Sequence, residues 1–430
     1  MKIIDVNKLN DDEIKYLFKR PAINNQKVLD IVKPVLEDIK LNGIDSVLKY
    51  ARKFDGLATD NIKLSREEIC KGAKYLDEKV KKAIDSAYEN ILEFHKYQKS
   101  EGYSVEILPG VKCFRQYRPI ENIGLYIPGG TAVLPSTMLM LGIPARIAGC
   151  KRIVVCSPAK NGIVNPALLY AAEKCGIEEF YLVGGAQAIG LMAYGASSIP
   201  KVDKIFGPGS QYVTAAKSIV SIDPDGCAID MPAGPSEVLV IADKTANPEF
   251  VAADLLSQAE HGLDSQAILV TTDFEIAQAV SDAAEKQSKT LKRKEFADSS
   301  LNNSYILVVN NIKQAIEFSN SFAPEHLILS IENFNETIKD ITNAGSVFLG
   351  KYSPESAGDY ASGTNHSLPT YGYAKSFSGV NVESFMKGIT FQELTKNGLK
   401  SISETVITLA ETEDLQAHAN AVKIRIENGN

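Results

Sequence analysis

The chain of 430 residues contains no tryptophan and only five histidines, so few side chains are available for imidazole chemistry. It also lacks a basic excess, because 46 Lys and Arg stand against 53 Asp and Glu for a net charge of −7. Proteins that bind nucleic acid or anionic membranes usually carry such an excess, so we expect neither partner. Any histidine-dependent reaction must use one of a short set, namely His95, His261, His326, His366 and His418.

Long apolar runs are missing as well. The most apolar stretch, 131–149, is interrupted by Pro135, Pro144 and Arg146, which argues against a membrane-spanning helix. The N-terminus reaches acidic residues too early for a secretory signal. The six cysteines form no CxxC pair, which in a chain of this length indicates reduced thiols in a cytoplasmic protein.

The length and the order of the predicted elements indicate two α/β domains. After a helix-rich first hundred residues, a first series of strands, each followed by a helix, is predicted at 123–127, 152–157, 180–183 and 204–206. A second series is predicted at 237–242, 267–272, 305–309, 326–331 and 346–350. Such alternation indicates parallel sheets covered by helices, and the topology expected for such sheets is Rossmann-like. Beyond residue 377 we predict a polar helical tail with too weak a core to fold alone.

Glycine turns follow three strands of the first series, including Gly184-Gly185 and Gly207-Pro208-Gly209. At a strand-to-helix turn, glycine lets backbone N–H groups approach a phosphate. None of the turns has the GxGxxG spacing, however. A nucleotide site and simple tight turns therefore remain alternatives.

Two histidine-containing segments place imidazole beside acid or amide groups. Gln258 and His261 lie three residues apart on a predicted helix, so both can reach one metal ion; alternatively, His261 stabilises the helix end. Glu325 and His326 precede a predicted strand, where they can supply a water activator and a general base. The alternative is an ordinary surface turn.

A third segment, 353–366, is polar, glycine-rich and long for a connection, as functional loops often are. Within it, Asp359 offers an oxygen ligand and His366 an orienting imidazole. Glu413 and His418 lie five apart in the tail and do not share one helix face, so on pattern alone they belong to a solvated tail.

Four of the five histidines thus lie near acid or amide groups, and we interpret only His95 as structural or surface-exposed. A zinc site with a suitable mixture of ligands can be drawn from three distant segments, using Gln258, His261, Asp359 and His418.

Several long segments resemble those of histidinol dehydrogenase, the family that catalyses the last step of histidine biosynthesis. They are YIPGGTAVLPSTMLMLGIPARIAG, VGGAQAI, KIFGPG, IDMPAGPSEVLVIAD, ADLLSQAEHG, PEHLI, AGSVFLG and SPESAGDYASGTNHSLPTYGYA, and the resemblance covers essentially the whole chain. It implies two successive NAD-dependent oxidations at one site, from L-histidinol through L-histidinal to L-histidine, with one zinc ion per site.

The resemblance also implies roles for individual residues. Those that match zinc ligands are Gln258, His261, Asp359 and His418, and those that match the catalytic pair are Glu325 and His326. Besides these ligands and His326, the matches to substrate contacts are Ser236, His366 and Glu413. Those that match NAD contacts are Tyr126 and Gln187. The family's usual Asn after Gly-Pro-Gly is Ser210 here, whose hydroxyl can still hydrogen-bond to NAD but reaches less far.

The implied fold is α/β, with two Rossmann-like, aldehyde-dehydrogenase-like parallel-sheet domains, N-terminal helices and a helical C-terminal tail. The implied assembly is a homodimer in which the tail crosses over, so that Glu413 and His418 complete the partner's site. We expect a helical N-terminal arm at 1–24, a catalytic zinc domain at 25–125 and 237–376, an NAD-side domain at 126–236, and the tail at 377–430.

Without the resemblance, two other classes of protein remain open. A zinc hydrolase would use His261 and His418 around an activated water and would not require NAD. A non-catalytic nucleotide-binding or scaffold protein would bind no metal and would tolerate changes at His326.

Overall fold

The computed structural model describes residues 1–20, 25–129, 133–159, 162–232 and 234–427. These residues form two six-stranded sheets and one three-stranded sheet. Among the described residues, no helix is both long enough and apolar enough to cross a membrane.

The first sheet, here called sheet A, consists of six parallel strands. In spatial order they are Lys2–Asp5, Tyr305–Val308, Gln266–Thr271, Glu237–Ala242, His326–Ser330 and Ser346–Leu349. The two central strands of sequence EVLVIA and QAILVT are buried along their whole length. Continuous apolar runs of this kind are typical of parallel strands covered on both faces. The five strands predicted for the second series are therefore confirmed, and the structure adds the N-terminal strand.

The second sheet, sheet B, also has six strands, all parallel except for the short first one. In spatial order they are Lys63–Leu64, Glu179–Tyr181, Arg152–Cys156, Asn122–Tyr126, Lys204–Phe206 and Ala228–Ile229. The four strands predicted for the first series are confirmed, and the prediction of two parallel-sheet domains is confirmed with them.

Helices cover both sheets and form much of the tail. Those that precede or cover sheet B are Asn25–Asn42, Ile44–Tyr50, Arg66–Ala73, Glu78–Lys96, Pro135–Ala148, Pro166–Lys174, Gly185–Tyr194 and Gln211–Ile222. A short π-helix, Ala51–Asp55, continues the second of them. The remaining helices are Asp11–Leu17, Pro248–Ala259, Phe274–Ser288, Lys294–Asn302, Ile312–Phe322, Phe334–Thr337, Glu355–Tyr360, Lys396–Thr412 and Gln416–Glu427.

The expected grouping of the N-terminal region is wrong in two places. The residues before 25 do not form a purely helical arm, because Lys2–Asp5 pairs with Tyr305–Val308 at the edge of sheet A. The helices of 25–96 belong with sheet B rather than with the catalytic sheet, since they pack mainly on the helices that cover sheet B and share one apolar core with its strands. The helix Asn25–Asn42 lies close to the helix Gly185–Tyr194, because a Cβ at Gly190 would be 2.9 Å from Cδ1 of Ile39.

The tail is not helical throughout. Its longest element before the final helices is a strand, Met386–Leu394, which pairs with Val111–Pro119 and, through it, with Tyr103–Leu108 in an antiparallel sheet. Much of this sheet is exposed, including all of Tyr103–Leu108. The prediction of a helical end holds only for the last two helices, Lys396–Thr412 and Gln416–Glu427.

Sheet topology determines where the candidate residues meet. Glu237 and His326 begin neighbouring strands of sheet A, so they lie at its amino edge. The helix Pro248–Ala259 connects two parallel strands and must return to that edge, which brings Gln258 and His261 there. By contrast, the glycine turns of 184–185 and 207–209 follow strands of sheet B and lie at its carboxyl edge.

Candidate active site

His326 is a buried histidine whose ring is surrounded by acidic groups. Its Nδ1 lies 3.3 Å from the carbonyl oxygen of Glu237 and 3.7 Å from Oε2 of Glu325. Its Nε2 lies 3.6 Å from Oδ1 of Asp359 and has no hydrogen-bond partner among the described residues. Burial alone would lower the pKa of His326, but the carboxylates of Glu325, Glu355 and Asp359 outweigh it and raise the pKa to about 10. A buried polar atom without a partner calls for an explanation, and a group that binds beside the cluster supplies one.

Glu325 is held beside His326 by the neighbouring strand. Its Oε2 accepts the backbone N–H of Glu237 at 2.9 Å, and the residue is only 5% exposed. Burial raises the pKa of Glu325 to about 8. The predicted pairing of Glu325 and His326 at a strand entrance is therefore observed in space, and the surface-turn alternative is wrong because both residues are buried.

A cluster of metal-ligating side chains lies next to Nε2 of His326. One donor atom each from His261, Glu355 and Asp359 lies within 4.8 Å of the others. Gln258 joins them, because one end of its amide lies 3.0 and 3.3 Å from the two carboxylate oxygens of Glu355; assigned as the nitrogen, this end donates to both. The arrangement brings together imidazole, carboxylate and amide groups that suit zinc.

Glu355 is the residue of this cluster that sequence reasoning missed. The segment 353–366 was expected to be a loop, but it contains the helix Glu355–Tyr360, on which Glu355 and Asp359 are four residues apart and share a face. Burial raises the pKa of Glu355 to about 8. An i, i+4 pair of acids beside a histidine was the available sequence signal, but it required a helix to be predicted there.

His366 lies beside Asp359 of the cluster, and Ser236 lies next to Glu237 in the chain. Nδ1 of His366 is 3.0 Å from the carbonyl oxygen of Asp359, and Nε2 is 3.0 Å from Oγ1 of Thr137. Thr137 is in the first turn of the helix Pro135–Ala148, which follows a strand of sheet B. The contact between Thr137 and His366 therefore connects the cluster at sheet A to the sheet B domain. Ser236 immediately precedes the strand that holds Glu237, and its carbonyl oxygen accepts the N–H of Gln266 at 3.2 Å.

His95, the histidine interpreted as structural or surface-exposed, is fully buried and structural. Its Nδ1 lies 2.8 Å from the carbonyl oxygen of Ile91, and its Nε2 lies 3.3 Å from Nδ2 of Asn365. Because Asn365 also donates to the carbonyl oxygen of Met140 at 2.6 Å, this contact anchors the segment that presents His366.

The tail residues Glu413 and His418 do not reach the cluster of their own chain. Both are exposed, and they lie at the junction of the last two helices, which contact each other and the strand Met386–Leu394. Of the predicted zinc ligands, the structure brings together Gln258, His261 and Asp359, while His418 remains apart. The roles of all four stay predictions.

The residues predicted to contact NAD lie at the carboxyl edge of sheet B. Tyr126 ends a strand, and its hydroxyl oxygen accepts the N–H of Gly185 at 3.2 Å. Gln187 is buried, and its Nε2 donates to Oδ2 of Asp55 at 3.0 Å. The same oxygen of Asp55 accepts the N–H of Gly184 at 2.9 Å. Asp55, which ends the π-helix, is a further residue that the sequence did not reveal.

Ser210 and Gly207 also lie at the carboxyl edge of sheet B, after the strand Lys204–Phe206. Ser210 occupies the N-cap position of the helix Gln211–Ile222, but its side chain makes no capping hydrogen bond and is exposed, so its hydroxyl is available. Gly207 has φ +123, and a Cβ there would lie 2.1 Å from the carbonyl oxygen of Tyr126. Only glycine fits this turn.

Comparisons with known proteins agree with one another. The family model for histidinol dehydrogenase matches residues 18–426. A histidinol dehydrogenase from Photobacterium profundum is 50% identical over 428 residues, which are 99% of this chain and 96% of that protein. The histidine biosynthesis trifunctional protein of Komagataella pastoris is 51% identical over 432 residues, covering 99% of this chain and 51% of that longer protein.

The fold comparison gives the same result. The crystal structure of histidinol dehydrogenase from Elizabethkingia anophelis is 51% identical, covers 99% of this chain and 98% of its own, and superposes with a TM-score of 0.95. A match over nearly the whole length, in both sequence and fold, identifies an oxidoreductase with two parallel sheets and a buried histidine–carboxylate cluster. The chain belongs to the histidinol dehydrogenase family.

Proposed function

We propose that this protein oxidises L-histidinol to L-histidine through L-histidinal, with two NAD molecules and one zinc ion per site. The observation that carries the proposal is the position of His326, whose unpartnered Nε2 faces the cluster of His261, Glu355 and Asp359. The cluster offers ligands for a cation, and the adjacent buried histidine offers a base.

The donor set fits zinc. We propose that Gln258, His261 and Asp359 hold the ion, with His418 of the partner subunit as fourth ligand. When bound, the zinc would act mainly as a template that holds the imidazole and amine of histidinol, both good zinc ligands. A cation at this place would also offset the negative charge around His326, which brings the pKa of that residue down toward the range of a useful base.

The chain's own residues then perform the proton transfers. His326 removes the hydroxyl proton of histidinol as hydride leaves the carbinol carbon for the first NAD⁺. Glu325 takes a proton from the water that adds to the resulting aldehyde, while His326 returns the alcohol proton to the aldehyde oxygen, which gives the hydrate and restores the base. His326 then removes a proton from that hydrate as the second hydride leaves for the second NAD⁺. One histidinol, one water and two NAD⁺ thus yield histidine, two NADH and two protons, which leave from Glu325 and His326.

A thiol route is disfavoured by the placement of the cysteines. All six are free thiols, and none belongs to the cluster around His326. Burial raises the pKa of the thiols of Cys150 and Cys227 to about 12, which removes the thiolate needed for attack on an aldehyde. Six free thiols also support a location in the reducing cytoplasm.

The remaining contacts are proposed for substrate and cofactor. Ser236 and His366, with Glu413 of the partner subunit, would contact histidinol. Tyr126, Gln187 and Ser210 would contact NAD. Support for a homodimer comes from exposed apolar side chains on the tail and on the antiparallel sheet, among them Leu409, Ile424, Tyr103 and Ile107.

The direct test follows NADH absorbance after histidinol is added to the purified protein. We expect two NADH per histidinol, loss of activity on chelation and recovery when zinc is returned. One NADH per histidinol would contradict the second oxidation, and activity unchanged by a strong chelator would contradict the zinc. Hydrolysis without any NAD requirement would favour the zinc hydrolase instead.

Asp55→Ala is expected to weaken NAD binding. The carboxylate orients the amide of Gln187 and the turn at Gly184, and losing one such hydrogen bond at a binding site costs on the order of tenfold in affinity. We therefore expect a KM for NAD about tenfold higher, with kcat at saturating NAD largely retained.

The matched control is Asp60→Ala, the same change a short way along the chain at a side chain that is 78% exposed. NAD affinity measured by titration of the resting enzyme separates binding from turnover. An unchanged affinity in Asp55→Ala would show that the orientation of Gln187 is not needed for NAD.

A further inference from the structure

Glu355 is a buried acid that forms no ion pair within 4.0 Å among the described residues. It begins the helix Glu355–Tyr360 and is 1% exposed, although carboxylates are almost never fully buried unless they are paired. A carboxylate kept in such a place needs a structural or functional reason.

The hydrogen bonds of Glu355 supply that reason. One end of the Gln258 amide lies 3.0 and 3.3 Å from the two carboxylate oxygens of Glu355, and we assign this end as the nitrogen because it can donate to both. With the amide turned the other way, the oxygen of Gln258 would face these oxygens, and acceptor would oppose acceptor. A cation bound in the cluster would keep Glu355 in its ionised form, which accepts but does not donate, so Glu355 would then select one of the two orientations of the amide.

The selected orientation matters because only one end of an amide binds a cation. With its nitrogen bound to Glu355, Gln258 turns its oxygen away from that carboxyl group. Glu355 itself lies within 4.8 Å of the donor atoms of His261 and Asp359, so the amide is at the edge of this cluster. A neutral amide oxygen is the weakest member of this donor set, so its contribution depends most on being held in position.

We propose that Glu355 is a positioning residue of the metal site, which fixes the amide of Gln258 so that its oxygen, not its nitrogen, is presented to the ion. This inference rests on the proposed zinc dependence. Partners that orient metal ligands from behind typically contribute about 10–100-fold to metal affinity.

The experiment measures zinc affinity of the full-length protein by competition with a chromophoric chelator, without any turnover. Glu355→Met keeps most of the side-chain volume but removes the acceptor, and it is expected to weaken zinc binding by about 10–100-fold. Glu355→Gln keeps an acceptor oxygen for the amide of Gln258, so it is expected to restore most of the affinity. Glu249→Gln, in the exposed first turn of the same helix as Gln258, is the matched control and should bind zinc as the wild type does.

A double-variant comparison shows whether Glu355 acts through Gln258. In a Gln258→Ala background, Glu355→Met should cause no further loss, because the group that it positions is already absent. If Glu355→Met does not fold, Glu355→Ala takes its place in the same comparison, with the melting temperature of the metal-free protein as the check on folding.

Three results would overturn the inference. Zinc affinity of Glu355→Met equal to that of the wild type would show that no positioning is needed. An equally large loss in Glu355→Gln would assign the effect to the charge of Glu355 acting directly on the ion. A full further loss in the Gln258→Ala background would show that Glu355 acts independently of Gln258. Failure of the wild type itself to bind zinc would instead contradict the proposed function.

Discussion

His326→Asn is expected to lower kcat by about 10²–10⁴-fold while histidinol still binds, because general-base removal has effects of this size. The ring is buried, its Nε2 faces the cluster, and no other imidazole among the described residues is placed beside Glu325. Asparagine retains a polar side chain of smaller reach, but it cannot accept a proton at neutral pH. Steady-state kinetics and equilibrium binding of histidinol together measure the two expectations.

Glu325→Gln is the comparison that separates the two oxidation steps. Glutamine can still accept the N–H of Glu237 through its amide oxygen, so the local fold should survive. The proposed role of Glu325 lies after the first hydride transfer. Rapid mixing should therefore show the first NADH formed at a rate close to that of the wild type, followed by a slow second one.

Turnover of His326→Asn within tenfold of the wild type would contradict the assignment of the base. A loss of histidinol binding in step with kcat would also contradict it, since that pattern indicates a residue that holds the substrate. Both conclusions require that the melting temperature of His326→Asn be close to that of the wild type.

Mixing His326→Asn subunits with His418→Asn subunits is expected to restore activity that neither variant has alone. In one chain, His418 and Glu413 are exposed on the tail, away from the cluster that holds His261 and Asp359. If the tail completes the site of the opposite subunit, a mixed dimer contains one site made from an unaltered body and an unaltered tail. Random mixing of a symmetric dimer then gives about a quarter of all sites intact.

The measurement requires two affinity tags, so that mixed dimers are isolated and their content is known. Each homodimer is the control, and both should be nearly inactive. Isolated mixed dimers without recovered activity would contradict the shared site. A His418→Asn homodimer with full activity and full zinc content would show that the tail does not supply a ligand.

The parts of the fold that the sequence predicted well share one physical property. The strands Glu237–Ala242 and Gln266–Thr271 are buried on both faces, so each appears in the sequence as an unbroken apolar run. The strands that were missed have no such pattern. Tyr103–Leu108 alternates apolar and polar residues but is exposed along its length, and Lys2–Asp5 is a short edge strand at the end of the chain, so neither contains the unbroken apolar run of a buried strand.

The grouping of the N-terminal helices shows a second limit. The apolar stripe of Asn25–Asn42, with Val32, Leu36 and Ile39, indicates an amphipathic helix but not the sheet on which it packs. Gly190, on the helix Gly185–Tyr194 that covers sheet B, permits the close approach of Ile39 and Leu36, and this complementarity exists only after both helices are in place.

Taken by itself, the sequence determined the two parallel sheets, the glycine turns at strand ends and, through long shared motifs, the family. It also limited the imidazole chemistry to five side chains, because so few histidines are present. Tertiary structure alone decided that Glu355 and Asp55 lie behind residues predicted to bind zinc and NAD. It also decided that Glu413 and His418 are far from the cluster of their own chain. The reason is that periodicity and motifs are local properties of the chain, whereas the partners of a buried carboxylate or a tail helix come from distant segments that meet only when the sheets have assembled.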